Sequence, residues 1–193
     1  MRPSYLLAIS IIAVWIGVAL TSGQALWDVQ HSRLILTYGA VDGTVFQTHE
    51  WWRLITSQWL HSRWQHMLLN ATLVAFAGSY LERIQGWQPT LALYFLGGTA
   101  AQLASVLAYP DLVSSGASQA MLALCGAAAL LPREQNPSWL WYAIVALVGV
   151  QLGLDLIVAQ TIKAGHGAGL IFGAAWTATF LAWRGLRKTK AAE

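Results

Sequence analysis

The chain has 193 residues, 56% of them hydrophobic and 10% charged, with a mean hydropathy of +0.51. Soluble domains carry about 25% charged residues, so this composition excludes an ordinary soluble globule, and uncharged apolar blocks in place of period-two alternation argue against a membrane β-barrel. The net charge of +3 is small and its basic residues form no patch suited to nucleic acid. One cysteine, Cys125, allows neither an internal disulfide nor a cysteine-based zinc site.

A hydrocarbon core of about 30 Å is crossed by about 20 apolar residues, fewer where a segment ends inside protein. In chain order, six segments qualify: 5–22, 66–81, 90–109, 118–131, 139–156 and 164–183. This predicts an all-α membrane protein, a compact six-helix bundle in one domain, with a long first loop at 23–65 and a basic tail at 184–193. Lysine and arginine are retained on the cytoplasmic side. Termini inside place Arg2, Arg83, Arg133, Arg184, Arg187, Lys188 and Lys190 there, against Arg33, Arg53, Arg63 and Lys163 outside. Trp27, Trp51, Trp52, Trp59 and Trp64 then mark the outer interface, and Trp87, Trp139, Trp141 and Trp183 the inner one. Arg2 before an apolar run, with small residues at 21–25, also fits a secretory signal; its loss would leave five spans and a basic tail on the wrong side.

Polar residues at membrane depth carry the functional information. Ser118 follows Gly116 and Ala117 and opens an apolar helix too short to cross a bilayer comfortably. A helix starting at depth brings free first-turn amides and the positive end of its dipole beside that serine, which is what a developing oxyanion needs; the competing reading is a simple N-cap. His166 lies in AGHGAGLIFG, with Gly169 and Gly173 on roughly the same helical face. Small-residue faces let membrane helices approach closely, which brings the imidazole within reach of Ser118 as a base. The competing reading of His166 is an interhelical hydrogen-bonding group. His66 and Asn70, four residues apart, share a face of the second span, and His61 precedes it. As neutral donors they suit an oxyanion; a zinc site lacks both HExxH spacing and a nearby acid. In the soluble Ser-His-Asp triad an aspartate orients the histidine, and Asp155, eleven residues before His166, is the nearest candidate for that third member. Against it stands an interfacial or loop-ordering role at the outer end of the fifth span, and a Ser-His dyad is the expectation.

On these residues the chain resembles the rhomboid family of intramembrane serine proteases, in its minimal six-span bacterial form. Trp52-Arg53 resembles the family's first-loop element, and His61, His66 and Asn70 its His-x4-His-x3-Asn pattern. Gly78 with Glu82-Arg83 resembles the end of its second span, Gly116-Ala117-Ser118 its Gly-x-Ser motif, and His166, Gly169 and Gly173 its His-x2-Gly-x3-Gly. The resemblance implies Ser118 as nucleophile, His166 as base, and His66, Asn70 and the Ser118 amide as oxyanion hole. His61, Trp52 and Arg53 are implied as supports of the first loop. It further implies transmembrane protein substrates cut near the outer interface, no cofactor or metal, and residence in a bacterial inner membrane. Two departures stand out: Gln119 replaces the usual glycine after the serine, and Leu122 an aromatic residue that packs on the histidine. Gln119 motivates the alternative of a rhomboid-like protein that binds transmembrane segments without cutting them. A small transporter is a weaker fit, since no inverted repeat is visible.

Overall fold

A computed structural model describes residues 1–131, 138–160 and 163–190. Arg133 and the side chains of Arg187, Lys188 and Lys190, counted above as orientation signals, lie outside the described residues. Regular structure among the described residues is helical, apart from one isolated antiparallel bridge between Val41 and Ser114.

The six long segments form α1 (Pro3–Ser22), α5 (Trp64–Gln85), α6 (Trp87–Ala108), α7 (Ser118–Ala129), α8 (Ser138–Ala159) and α9 (Ala164–Lys190). Most run a few residues past the apolar blocks, because polar residues at a membrane interface can continue the backbone ladder after hydropathy has fallen. The second helix therefore carries Glu82, Arg83 and Gln85 to Gly86, whose φ of +89° suits glycine and turns the chain into α6. By length and apolarity alone α1, α6 and the Trp139–Ile157 stretch of α8 qualify as spans. Of the remaining three, α7 is apolar but only twelve residues long, while α5 and α9 carry polar residues, His66, Asn70 and His166 among them, that lower their hydropathy.

The first loop is folded, with α2 (Ser32–Thr37), α3 (Val45–Thr48), α4 (Arg53–Thr56) and a 3-10 turn at Ser57–Trp59. Arg53 gathers it: the guanidinium donates to the carbonyls of Leu36 at 2.8 Å and Ala40 at 3.1 Å, pairs with Glu50 at 2.8 Å and lies over the Trp52 ring. Trp59 departs from its expected interfacial place. Its indole N–H donates to Ser10 Oγ of α1 at 2.8 Å and its ring packs on Phe95 of α6, so it joins the loop to the bundle.

At the opposite end, Glu82 accepts the Ser4 N–H at 2.8 Å and so supplies a cap for α1 from α5. A side chain on Gly78 would strike Ser4, which shows how closely these two helices cross. The centre of the bundle is α7: every residue from Ser118 to Ala128 is buried, with α9 its most extensive partner. Twelve residues make about 18 Å of helix, so α7 starts well inside the protein.

Candidate active site

Three elements fix the start of α7. The Val41–Ser114 bridge pairs the preceding segment with the first loop through bonds of 3.2 and 2.7 Å. Gly116 N–H then donates to Ser57 O at 2.9 Å, and its φ of +113° makes glycine the natural residue there. Ala117, not Ser118, is the N-cap, and no side chain caps the helix. The Ser118 hydroxyl is thus free for other partners.

Those partners are His166 Nε2 at 3.0 Å and Gln119 Oε1 at 3.2 Å. Both Ser118 and His166 are nearly inaccessible, at 2% and 3% exposure. They meet because α7 and α9 pack almost backbone to backbone. A Cβ on Gly169 would overlap the Gln119 carbonyl, one on Gly173 the Ala123 carbonyl, and one on Gly126 the backbone of Leu170. Small residues on both faces permit that approach.

The other nitrogen of His166 is where the structure departs from the sequence expectation. Asp155 is buried, and its Oδ2 lies 2.5 Å from His166 Nδ1. The same carboxylate accepts the Lys163 N–H at 3.3 Å and stands 3.6 Å from Lys163 Nζ. Four positions separate α8 from α9, so a residue one turn before the end of α8 comes level with one in the first turn of α9. That hairpin register is the signal that would have paired them.

His66 and Asn70 occupy different places relative to the serine. His66 lines the same cavity as Ser118 and His166, and its Nε2 is buried without a partner. Asn70 does not line that cavity; its amide donates to His61 Nε2 at 3.2 Å. The same His61 nitrogen accepts the Ala117 N–H at 3.2 Å, which assigns the ring proton to Nδ1, donated to Trp59 O at 3.1 Å. Burial, with His66 nearby, pushes the His61 pKa down to about 3, so the ring stays neutral and keeps its acceptor. His61 therefore joins the loop, Asn70 of α5 and the residue before Ser118.

Gln119 belongs to a polar network that its sequence position did not reveal. Its Nε2 donates to Gln102 Oε1 at 3.4 Å and to Ser114 Oγ at 3.2 Å. Ser114 donates in turn to Gln102 Oε1 at 2.6 Å, and Gln102 Nε2 reaches Gly116 O at 3.3 Å. Leu122 is fully buried. A cavity of about 380 Å³ opens over Ser118, with Tyr109, Leu112, Ser115 and Lys163 among walls that sequence reasoning had not singled out.

A histidine within hydrogen-bond distance of a serine hydroxyl, beside the first turn of a buried helix, supplies the parts needed to activate that serine for acyl transfer. Residues 48–183 match the family model of the Rhomboid domain. The chain is 31% identical over 156 residues to Rhomboid-like protease 5 of Toxoplasma gondii, covering 77% of this chain and 18% of that protein. It is 29% identical over 146 residues to Rhomboid protease GluP of Bacillus subtilis, covering 74% and 29%. A shorter match, 36% over 81 residues, covers 42% of this chain and 23% of Inactive RHOMBOID-like protein 8 of Arabidopsis thaliana. The chain spans well under half the length of these relatives. With a family model covering most of its helices, and apolar helices of membrane-spanning length, the chain belongs to the rhomboid family and is an integral membrane protein.

Proposed function

We propose that the protein is an intramembrane serine endopeptidase that cuts transmembrane substrates near the outer interface. The observation that carries this reading is the buried 3.0 Å contact between Ser118 Oγ and His166 Nε2 at the floor of an open cavity. In this mechanism the Ser118 oxygen bonds to the scissile carbonyl carbon while its proton passes to His166 Nε2 and the carbonyl pair moves onto oxygen. The Ser118 N–H, which has no intrahelical acceptor at the first position of α7, stabilises that oxyanion together with His66. Asn70 acts indirectly in this reading, by holding His61, which in turn binds the residue before Ser118. Collapse of the intermediate breaks the C–N bond, the leaving nitrogen takes the proton from His166, and water hydrolyses the acyl-enzyme by the same steps.

The catalytic end of the bundle faces the outside in this reading and both termini face the cytoplasm, as the lysine and arginine distribution favours; a bacterial inner membrane is the proposed location. A substrate span must unwind to present its peptide bond, so small or helix-destabilising residues near its outer end are favoured. The test is labelling of detergent-purified protein by a fluorophosphonate serine probe. Wild type is expected to label, and Ser118→Ala and His166→Ala are not. Folded wild type that resists the probe refutes the protease reading and favours the second one, a protein that binds transmembrane segments without cutting, for which Gln119 as a competing acceptor for Ser118 is the supporting observation.

A further inference from the structure

We propose that Asp155 is a positioning residue for His166, so that the hydrolytic unit is a three-member chain of Ser118, His166 and Asp155 built across α7, α9 and α8. This rests on the reading of Ser118 and His166 as nucleophile and base. An imidazole can serve that base only if Nε2 is bare and aimed at the hydroxyl, which requires the ring proton on Nδ1 and a fixed ring plane. Among the described residues no aromatic ring stacks on His166, and position 122, where the resemblance implies an aromatic ring, holds leucine. Hydrogen bonds must then orient it, and the carboxylate 2.5 Å from Nδ1 is placed to do so.

The chemistry of the step explains why a carboxylate serves better than a neutral acceptor. Proton transfer from Ser118 turns His166 into an imidazolium buried at 3% exposure, and an unpaired buried cation is costly. With Asp155 in place, the cation forms beside an existing anion, retains its Nδ1 proton and donates it to Oδ2. Asp155 does not take that proton; the Nε2 proton moves on to the leaving nitrogen. Before the reaction the buried carboxylate is not isolated, because Lys163 reaches it through its backbone N–H and its ammonium group at the cavity mouth. Among the described residues, the charged and titratable groups around His166 are thus Asp155 from α8, Lys163 ahead of α9 and His66 from α5, with Tyr109 lining the same cavity.

A purely structural role, tying the end of α8 to the start of α9, predicts different behaviour. Asp155→Asn retains shape and an amide oxygen, so the fold survives in either case. If Asp155 positions the base, Asp155→Asn lowers the rate of fluorophosphonate labelling about 10²- to 10⁴-fold at unchanged melting temperature, since an amide can also donate to Nδ1 and stabilise the wrong tautomer. Asp155→Glu restores part of the loss. Nuclear magnetic resonance of histidine-labelled protein supplies a readout independent of turnover. A strongly downfield Nδ1 proton is expected in wild type and in Ser118→Ala, and is lost in Asp155→Asn. Equal labelling by wild type and Asp155→Asn overturns the proposal while leaving the protease reading intact. Absence of labelling in folded wild type defeats the protease reading, and the proton signal then decides whether Asp155 holds His166; its absence in wild type overturns the proposal on its own.

Discussion

Replacing Gly169 by alanine adds one methyl group against the Gln119 carbonyl, closer than real side chains come to backbone oxygen. The obstacle is main chain in a buried helix and cannot rotate away. Restoring ordinary contact requires α9 to move from α7 by roughly 1 Å. The Ser118 to His166 separation, 3.0 Å in the structure, would open to about 4 Å, beyond hydrogen-bond range. A misplacement of that size costs about 10²-fold in rate, and overpacking costs about 1–3 kcal/mol of stability. The assay compares fluorophosphonate labelling rates and thermal unfolding in detergent for Gly169→Ala and Gly149→Ala. A Cβ at Gly149 meets nothing within 4 Å, so that variant should label as wild type and lose no stability. Wild-type labelling and stability in Gly169→Ala would refute the claim that backbone contact between α7 and α9 sets the distance between the two residues.

Gln119→Gly removes the second acceptor of the Ser118 hydroxyl and one arm of the Gln102 network. One weak neutral hydrogen bond is worth about 0.5–1.5 kcal/mol, so labelling should rise about 2- to 10-fold; a fall beyond tenfold would instead make Gln119 a working part of the site. Protonation of His61 destroys its acceptor for Asn70 and Ala117, and its pKa is lowered from 6.5 to about 3 in the folded protein. The unfolded chain therefore binds this proton first: stability is full above pH 6.5 and declines as pH falls toward 3, by about 2 kcal/mol at pH 5. His61→Gln keeps an acceptor without titrating, and its unfolding should be correspondingly less sensitive between pH 7.5 and 5; identical pH dependence would refute the assignment.

Much of the fold could be read locally. Uncharged apolar blocks located the six long helices, and the polar residues inside them located the candidate site, because a polar side chain at depth has few harmless explanations. The Gly169 and Gly173 spacing pointed to the α7 approach for the same local reason: a glycine face is useful only where another backbone comes near. Three features lay beyond that kind of reading. Trp59 looked like its interfacial neighbours, yet packs inward because Ser10 and Phe95 wait there from other helices. Gln119 looked like an intruder after the serine, and finds partners on α6 and the preceding segment. Asp155 could be read as the polar end of a span, which left its contact with His166 undecided.

Residue type and periodicity establish which segments shun water and which side chains are anomalous within them, since both depend on neighbours along the chain. Whether an anomalous side chain is a ligand, a base or its partner depends on helix register and crossing distance. Those are set by backbone contacts such as Gly169 on Gln119 and by the placing of the end of α8 beside the start of α9, where Asp155 meets His166, and only the packed structure contains them.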